Sequence, residues 1–127
     1  MGFWLFILIM DLLIPGVMMV LGKRFQNKAP LHINPIYGYR TSMSMKNQDT
    51  WKFAHQYCGK FWFRAGILEL PFSILVILAV FGKNNNVIGV VGGILCCAQL
   101  VSIMISIYFT EKALKKTFDQ NGQRKRP

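Results

Sequence analysis

Apolar residues along this chain are concentrated in three blocks that polar segments separate. The blocks cover about 2–22, 61–82 and 87–109; Asp11 interrupts the first, while the third carries no charge. At about 1.5 Å of rise per residue, a helix over each block matches the roughly 30 Å hydrocarbon core of a bilayer. The pattern predicts an all-α polytopic membrane protein with three transmembrane helices, forming a single membrane domain over residues 1–127.

Basic residues between and after these blocks predict how the chain is oriented. Eight of the fifteen Lys and Arg lie within 23–64, six within 112–126, and only Lys83 lies in the Gly/Asn turn between blocks two and three. Because basic loops remain in the cytoplasm, the loop 23–60 and the tail 110–127 are predicted to be cytoplasmic, with the N-terminus outside. No positive charge precedes the first block, so we expect a retained span and not a cleaved signal peptide.

The formal net charge of +10 is therefore first a sign of topology. The basic tail is expected to lie against anionic lipid headgroups of the bilayer, each basic residue contributing about 1 kcal/mol near the surface. No stacking platform or known binding fold accompanies the charge, and we expect no direct contact with nucleic acid.

The loop before the second span carries its own helical pattern. Pro30 and Pro35 predict extended chain, and Asn47 or Asp49 offers a helix cap. Apolar and aromatic residues then recur at spacings of three and four, which predicts a short amphipathic interfacial helix at the headgroup level that bends or runs into span two. Its face comprises Trp51, Ala54, His55, Cys58, Phe61 and Trp62, with Trp51 and Trp62 as interfacial anchors.

The same loop contains a distinctive motif. Its residues are Asn34, Pro35, Gly38, Tyr39, Arg40 and Thr41, followed by Ser44, Asn47 and Trp51, with Ala54 and Gly59 further on. This arrangement resembles the signature of the SdpI family, and the resemblance covers the motif loop and the three spans.

The resemblance implies a polytopic protein of the bacterial cell membrane. Some members of that family protect the cell against a membrane-active peptide toxin, and the named immunity system also couples to a membrane-recruited repressor. By resemblance, the expected partners are the lipid bilayer and a peptide toxin or a soluble regulatory protein. The motif residues Asn34, Pro35, Gly38, Tyr39, Arg40, Thr41, Asn47 and Trp51 are then the candidate interaction site.

Three polar residues lie inside the predicted spans, namely Asp11, Glu69 and Gln99. A charged group at the bilayer centre costs about 2.5–3.5 kcal/mol on insertion scales, so Asp11 is expected to face the bundle beside Pro15. We hypothesise that Arg40 reaches back to Glu69 or Asp11 through a charge-assisted hydrogen bond. The alternative function is an oligomeric small transporter or channel subunit, a homo-oligomer in which Asp11 and Glu69 line a polar path.

Other chemistry has little support in the sequence. Gly89 and Gly93 form a small-xxx-small pair that is suited to close helix packing. His32, His55 and Cys58 provide too few ligands for a structural zinc site. No catalytic triad, phosphate-binding loop or nucleotide motif is found, so we expect no enzyme activity, no cofactor and no metal. Because Cys96 and Cys97 are adjacent within a span and Cys58 faces a reducing cytosol, we predict no disulfide.

Overall fold

Residues 2–125 of the chain, which the computed structural model describes, form three helices. They are α1 (Gly2–Asn27), α2 (Gln48–Ala79) and α3 (Asn85–Thr117). All three are long and apolar enough to cross a membrane. The prediction of an all-α protein with three helices able to span a membrane is confirmed, while the orientation of its termini stays a prediction. Arg126 and Pro127, the end of the predicted basic tail, lie outside the described residues.

Asparagine side chains begin both α2 and α3. Asn47 Oδ1 accepts from the Thr50 backbone N–H at 2.9 Å, and Thr50 Oγ1 accepts from the Asn47 N–H at 3.1 Å. These reciprocal bonds form a capping box, so Asn47, and not Asp49, is the cap. Asn84 caps α3 through Val87, and Gly82 with a φ of +83° allows the tight turn that the Gly/Asn segment predicts.

The predicted interfacial helix is not a separate element. Residues 48–60 are the first turns of α2, a single helix of 32 residues, which at about 1.5 Å per residue exceeds the hydrocarbon core. Residues 23–27 likewise extend α1, so the nonhelical connection shrinks to residues 28–47, called the motif segment below. Trp51 is fully buried beneath it, so its prediction as an interfacial anchor is wrong.

Glycine brings the backbones of α1 and α2 into contact. A Cβ atom at Gly59 would lie 2.6 Å from the Gly22 carbonyl oxygen, and one at Gly66 would lie 2.8 Å from the Pro15 carbonyl oxygen. The glycine pair predicted in span three does not act in this way. A Cβ at Gly93 meets nothing within 4 Å, and one at Gly89 makes only ordinary contact with a ring. The close approach of this helix is at Gly92 instead, where a Cβ would clash with the Ile7 side chain of α1. A small-residue spacing does not reveal which face of a helix meets a neighbour.

Candidate functional site

His55 fastens the motif segment to α2. The Tyr39 backbone N–H donates to His55 Nε2 at 2.8 Å, and His55 Nδ1 lies 2.8 Å from the Trp51 carbonyl oxygen. An amide N–H can only donate and a carbonyl can only accept, so the imidazole is neutral, with its proton on Nδ1. Gly38, with a φ of +113°, leaves no room for a side chain, since a Cβ there would lie 2.5 Å from His55 Nε2.

We expect this fastening to weaken in acid. His55 precedes the apolar part of α2, and burial lowers its pKa below the ordinary value of 6.5. Stability from the neutral ring is complete above the unfolded pKa and is lost as pH falls through the lower folded pKa. Emission from Trp51, whose ring centroid lies 4.3 Å from that of His55, reports the change. His55→Gln should remove this acid transition while His32→Gln retains it; equal profiles would contradict the assignment.

Trp51 forms the floor of the motif segment. Its indole Nε1–H donates to the Pro30 carbonyl at 2.8 Å. Phe25, at the end of α1, packs edge-on against His55 and Tyr37, with centroid distances of 4.9 and 5.7 Å. Trp51 of α2 and Phe25 of α1 therefore join the segment to both helices from inside.

Tyr39 ties the segment to α3. Its hydroxyl donates to Glu111 Oε1 at 2.9 Å, and burial together with this carboxylate raises the pKa of Tyr39 far above its usual range. The ring lies in a buried cluster with Met43 and residues of α2 and of the end of α3. The remaining members of this cluster are Ala54, Cys58, Leu114 and Phe118. Sequence analysis did not identify Glu111, whose only sequence signal is an acid within a basic tail.

The polar side chains of the motif accept hydrogen bonds from backbone N–H groups of the motif segment itself. Asn34 Oδ1 accepts from the N–H groups of Ile36 and Tyr37 at 3.0 and 2.6 Å, making an Asx turn around Pro35. Ser44 Oγ accepts from the Thr41 N–H at 2.9 Å, and Thr41 Oγ1 accepts from the Ser44 N–H at 3.1 Å. These bonds hold a stretch without helix or strand in one conformation.

The tail folds back onto the start of α2, a contact that sequence analysis missed. Residues 118–125, called the tail hairpin, are closed by an antiparallel bridge between Phe118 and Arg124. Arg124 pairs with Asp49 through two bonds of 2.9 and 3.0 Å, and Asn47 Nδ2 donates to the Gly122 carbonyl at 2.7 Å. The N-cap of α2 thus also positions the tail.

Arg40 does not reach the bundle. Its guanidinium is exposed and donates to the Pro35 carbonyl, and within residues 2–125 no hydrogen bond or ion pair joins it to Asp11 or Glu69. The hypothesis that Arg40 bonds Asp11 or Glu69 is therefore wrong. The side chains of the adjacent residues Tyr39 and Arg40 point in different directions, and it is Tyr39 that points into the bundle.

Apolar side chains accompany Arg40 on the outer side of the motif segment. Leu31, Ile36 and Tyr37 are 70%, 85% and 40% exposed. We call these three residues and Arg40 the exposed loop face.

A polar centre joins all three helices inside the bundle. Proline has no N–H, so Pro15 leaves the Asp11 carbonyl without its helical partner. Gln99 Nε2 donates to that carbonyl at 2.8 Å and also lies 2.9 Å from Ser73 Oγ. Asp11 and Gln99 are 2% and 1% exposed, which confirms that Asp11 faces the bundle.

Three acceptor atoms in these spans have no hydrogen-bond partner within the described part of the chain. They are Asp11 Oδ2, Gln99 Oε1 and Glu69 Oε2. The structure thus brings Asp11 and Gln99 together, whereas no hydrogen bond joins Glu69 to either of them. Over the same residues, no group of three or more His, Cys, Asp or Glu could hold a metal ion, and Cys58, Cys96 and Cys97 are free.

Comparison with known proteins agrees with the motif. The profile of the SdpI/YfhL protein family matches residues 31–110, which include most of the motif segment, all of α2 and most of α3. "Uncharacterized protein YfhL" of Bacillus subtilis (strain 168) is 30% identical over 110 residues, covering 86% of this chain and 90% of that protein. No solved structure matches the chain significantly. The chain therefore belongs to the SdpI/YfhL protein family, as its Gly-Tyr-Arg-Thr motif predicts.

Proposed function

We propose that this chain is a nonenzymatic protein of the bacterial cell membrane that protects its cell against a membrane-active peptide toxin. Membership of the SdpI/YfhL family and three helices able to cross a membrane support the location. The distribution of Lys and Arg supports an outer N-terminus and a cytoplasmic motif segment and tail. The immunity role rests on the family resemblance together with the surface described next.

The exposed loop face carries this proposal. Its apolar side chains lie on a segment whose opposite side is held by Tyr39, His55 and Trp51. A fixed backbone loses little conformational entropy on binding, so this surface is prepared for a partner. Exposed apolar side chains beside a basic group are typical of surfaces that contact proteins or membranes.

The division of the motif into two sides gives each residue a role. Gly38, Tyr39, Asn47 and Trp51 hold the fold from inside, whereas Arg40 faces outward and contacts the partner. A soluble regulatory protein bound at the same face would be held at the membrane, which is the form that coupling to gene regulation would take.

Protection can be tested by survival of a sensitive bacterium under a panel of membrane-active peptides. We expect the intact chain to protect, and Ile36→Asp or Arg40→Ala to reduce protection at least about tenfold, because hot-spot residues contribute on the order of 2 kcal/mol. Lys60→Ala is the matched control, since Lys60 is an exposed basic residue of α2 outside the motif segment. Protein levels in the membrane are compared for all variants. Full protection by both loop variants at equal level would contradict the role of the face, and no protection by the intact chain would contradict the function.

The polar centre supports a second candidate function, an oligomeric transporter or channel subunit. Buried acceptors without partners at Asp11 and Glu69 are the observation in its favour, because intramembrane ionisable groups mark ion or proton pathways. Proton flux into liposomes separates the two candidates. Flux that Asp11→Asn and Glu69→Gln abolish and Arg40→Ala leaves unchanged would favour transport; no flux would exclude it under those conditions.

A further inference from the structure

A cavity of about 560 Å³ opens where α3, the motif segment and the tail hairpin meet. Each of these elements contributes one lysine to its wall: Lys46 from the motif segment, Lys115 from α3 and Lys125 from the tail hairpin. Buried Met43 and Phe118 form its apolar part. Residues far apart in sequence thus converge on one basic recess.

Within the described residues, the three lysines around this cavity form no ion pair. The one ion pair within residues 2–125 joins Arg124 to Asp49, so no carboxylate lies within 4.0 Å of a cavity lysine. Two acids also line the recess, which leaves it a formal charge of +1, and both acids accept hydrogen bonds from the protein. Glu111 accepts from the Tyr39 hydroxyl, and Asp119 Oδ1 accepts from two backbone N–H groups of the hairpin.

The cavity also lies close to the level of the lipid headgroups on the predicted cytoplasmic side. Lys115 is six residues beyond Phe109, the last residue of the third apolar block, which is about 9 Å along the helix. Headgroups occupy roughly the first 5–8 Å outside the hydrocarbon core. The side chain of Lys115, whose backbone lies just beyond this layer, is therefore long enough to reach the headgroups. A volume of this size is typical of small-molecule sites.

We propose that this cavity binds a phosphate group, carried by an anionic lipid headgroup or free in the cytoplasm. The ammonium groups of Lys115 and Lys125 and the Ser42 hydroxyl supply donors for the phosphate oxygens, while the Lys46 ammonium already donates to the Gln120 carbonyl. The buried Met43 and Phe118 side chains form the apolar border of the recess. This inference does not depend on the immunity function, since it uses a different surface from the exposed loop face.

Thermal unfolding of the full chain in detergent tests the proposal with three probes. These are short-chain phosphatidylglycerol, short-chain phosphatidylcholine and inorganic phosphate. We expect phosphatidylglycerol to raise the unfolding midpoint saturably, because a ligand that binds only the folded state stabilises it. Lys115→Ala/Lys125→Ala should weaken the apparent affinity at least about tenfold. A midpoint rise with inorganic phosphate that shows the same dependence would identify free phosphate as a sufficient ligand.

Matched variants keep the test decisive. Lys112→Ala/Lys116→Ala removes the same charge from α3 outside the cavity lining and should retain the affinity. Lys115→Gln/Lys125→Gln keeps the side-chain length, and its midpoint without ligand shows whether the fold is intact. An equal response to zwitterionic phosphatidylcholine, or an equal loss in the two alanine pairs, would overturn the site, since either result means general lipid or charge effects.

Discussion

Replacing Gly59 with alanine is expected to destabilise the protein by about 2 kcal/mol, within the usual range for overpacking an interior. The added Cβ would lie 2.6 Å from the Gly22 carbonyl oxygen and 2.8 Å from the Gln26 backbone nitrogen. Both are backbone atoms of α1, so no side-chain rotation relieves the clash and the helices must move apart. The free energy of unfolding in detergent, measured from denaturant titration, gives the size of the effect.

Two further glycine variants control for the substitution itself. Gly93→Ala also lies in a spanning helix, but its Cβ would meet nothing within 4 Å. Because alanine favours helix more than glycine does, this control should be neutral or slightly stabilising. Gly22→Ala meets the same contact from the α1 side and should resemble Gly59→Ala. Similar stability of Gly59→Ala and Gly93→Ala would contradict the backbone contact.

Gln99→Leu is expected to lower the free energy of unfolding by about 1–3 kcal/mol, since interhelical hydrogen bonds in membranes contribute about 0.6–1.7 kcal/mol each. The change removes one bond to the Asp11 carbonyl and one to Ser73 Oγ. It leaves the carbonyl that Pro15 deprives of its regular helical partner without the Gln99 donor. The measurement is again denaturant unfolding in detergent.

A double-mutant cycle isolates the part of this effect that comes from proline. Pro15→Ala restores an N–H that can bond the Asp11 carbonyl within α1, so this group no longer needs Gln99. We expect Gln99→Leu to cost less in the Pro15→Ala background than in the natural chain. Strictly additive effects would mean that the Gln99 amide is not compensating for the missing helical bond.

Hydropathy and charge were sufficient to predict the three helices, because a bilayer forces long apolar segments to satisfy their backbone internally. Local residue types also limited the cap of α2 to Asn47 or Asp49, and the structure selects Asn47. Asp11 was correctly placed toward the bundle for a similar reason, the high cost of a charge facing lipid.

The errors concern contacts between distant parts of the chain. Trp51 looked like an interfacial anchor, yet it lies beneath the motif segment and donates to Pro30. Arg40 was expected to tie the segment to the bundle, whereas Tyr39, through Glu111, does so. Periodicity gives the face of a helix but not the element that covers it, so neither partner could be read from local pattern.

The position of Phe118 in the buried cluster has a consequence for the making of the protein. Tyr39 and Phe118 pack in one cluster, although about 80 residues separate them, so synthesis at roughly 5–20 residues per second leaves several seconds between their appearances. During that interval the motif segment has left the ribosome without its final packing partner. Its completed form is therefore established only after the last helix is made, and a premature stop before residue 118 would leave an inserted chain with an unfinished cytoplasmic end.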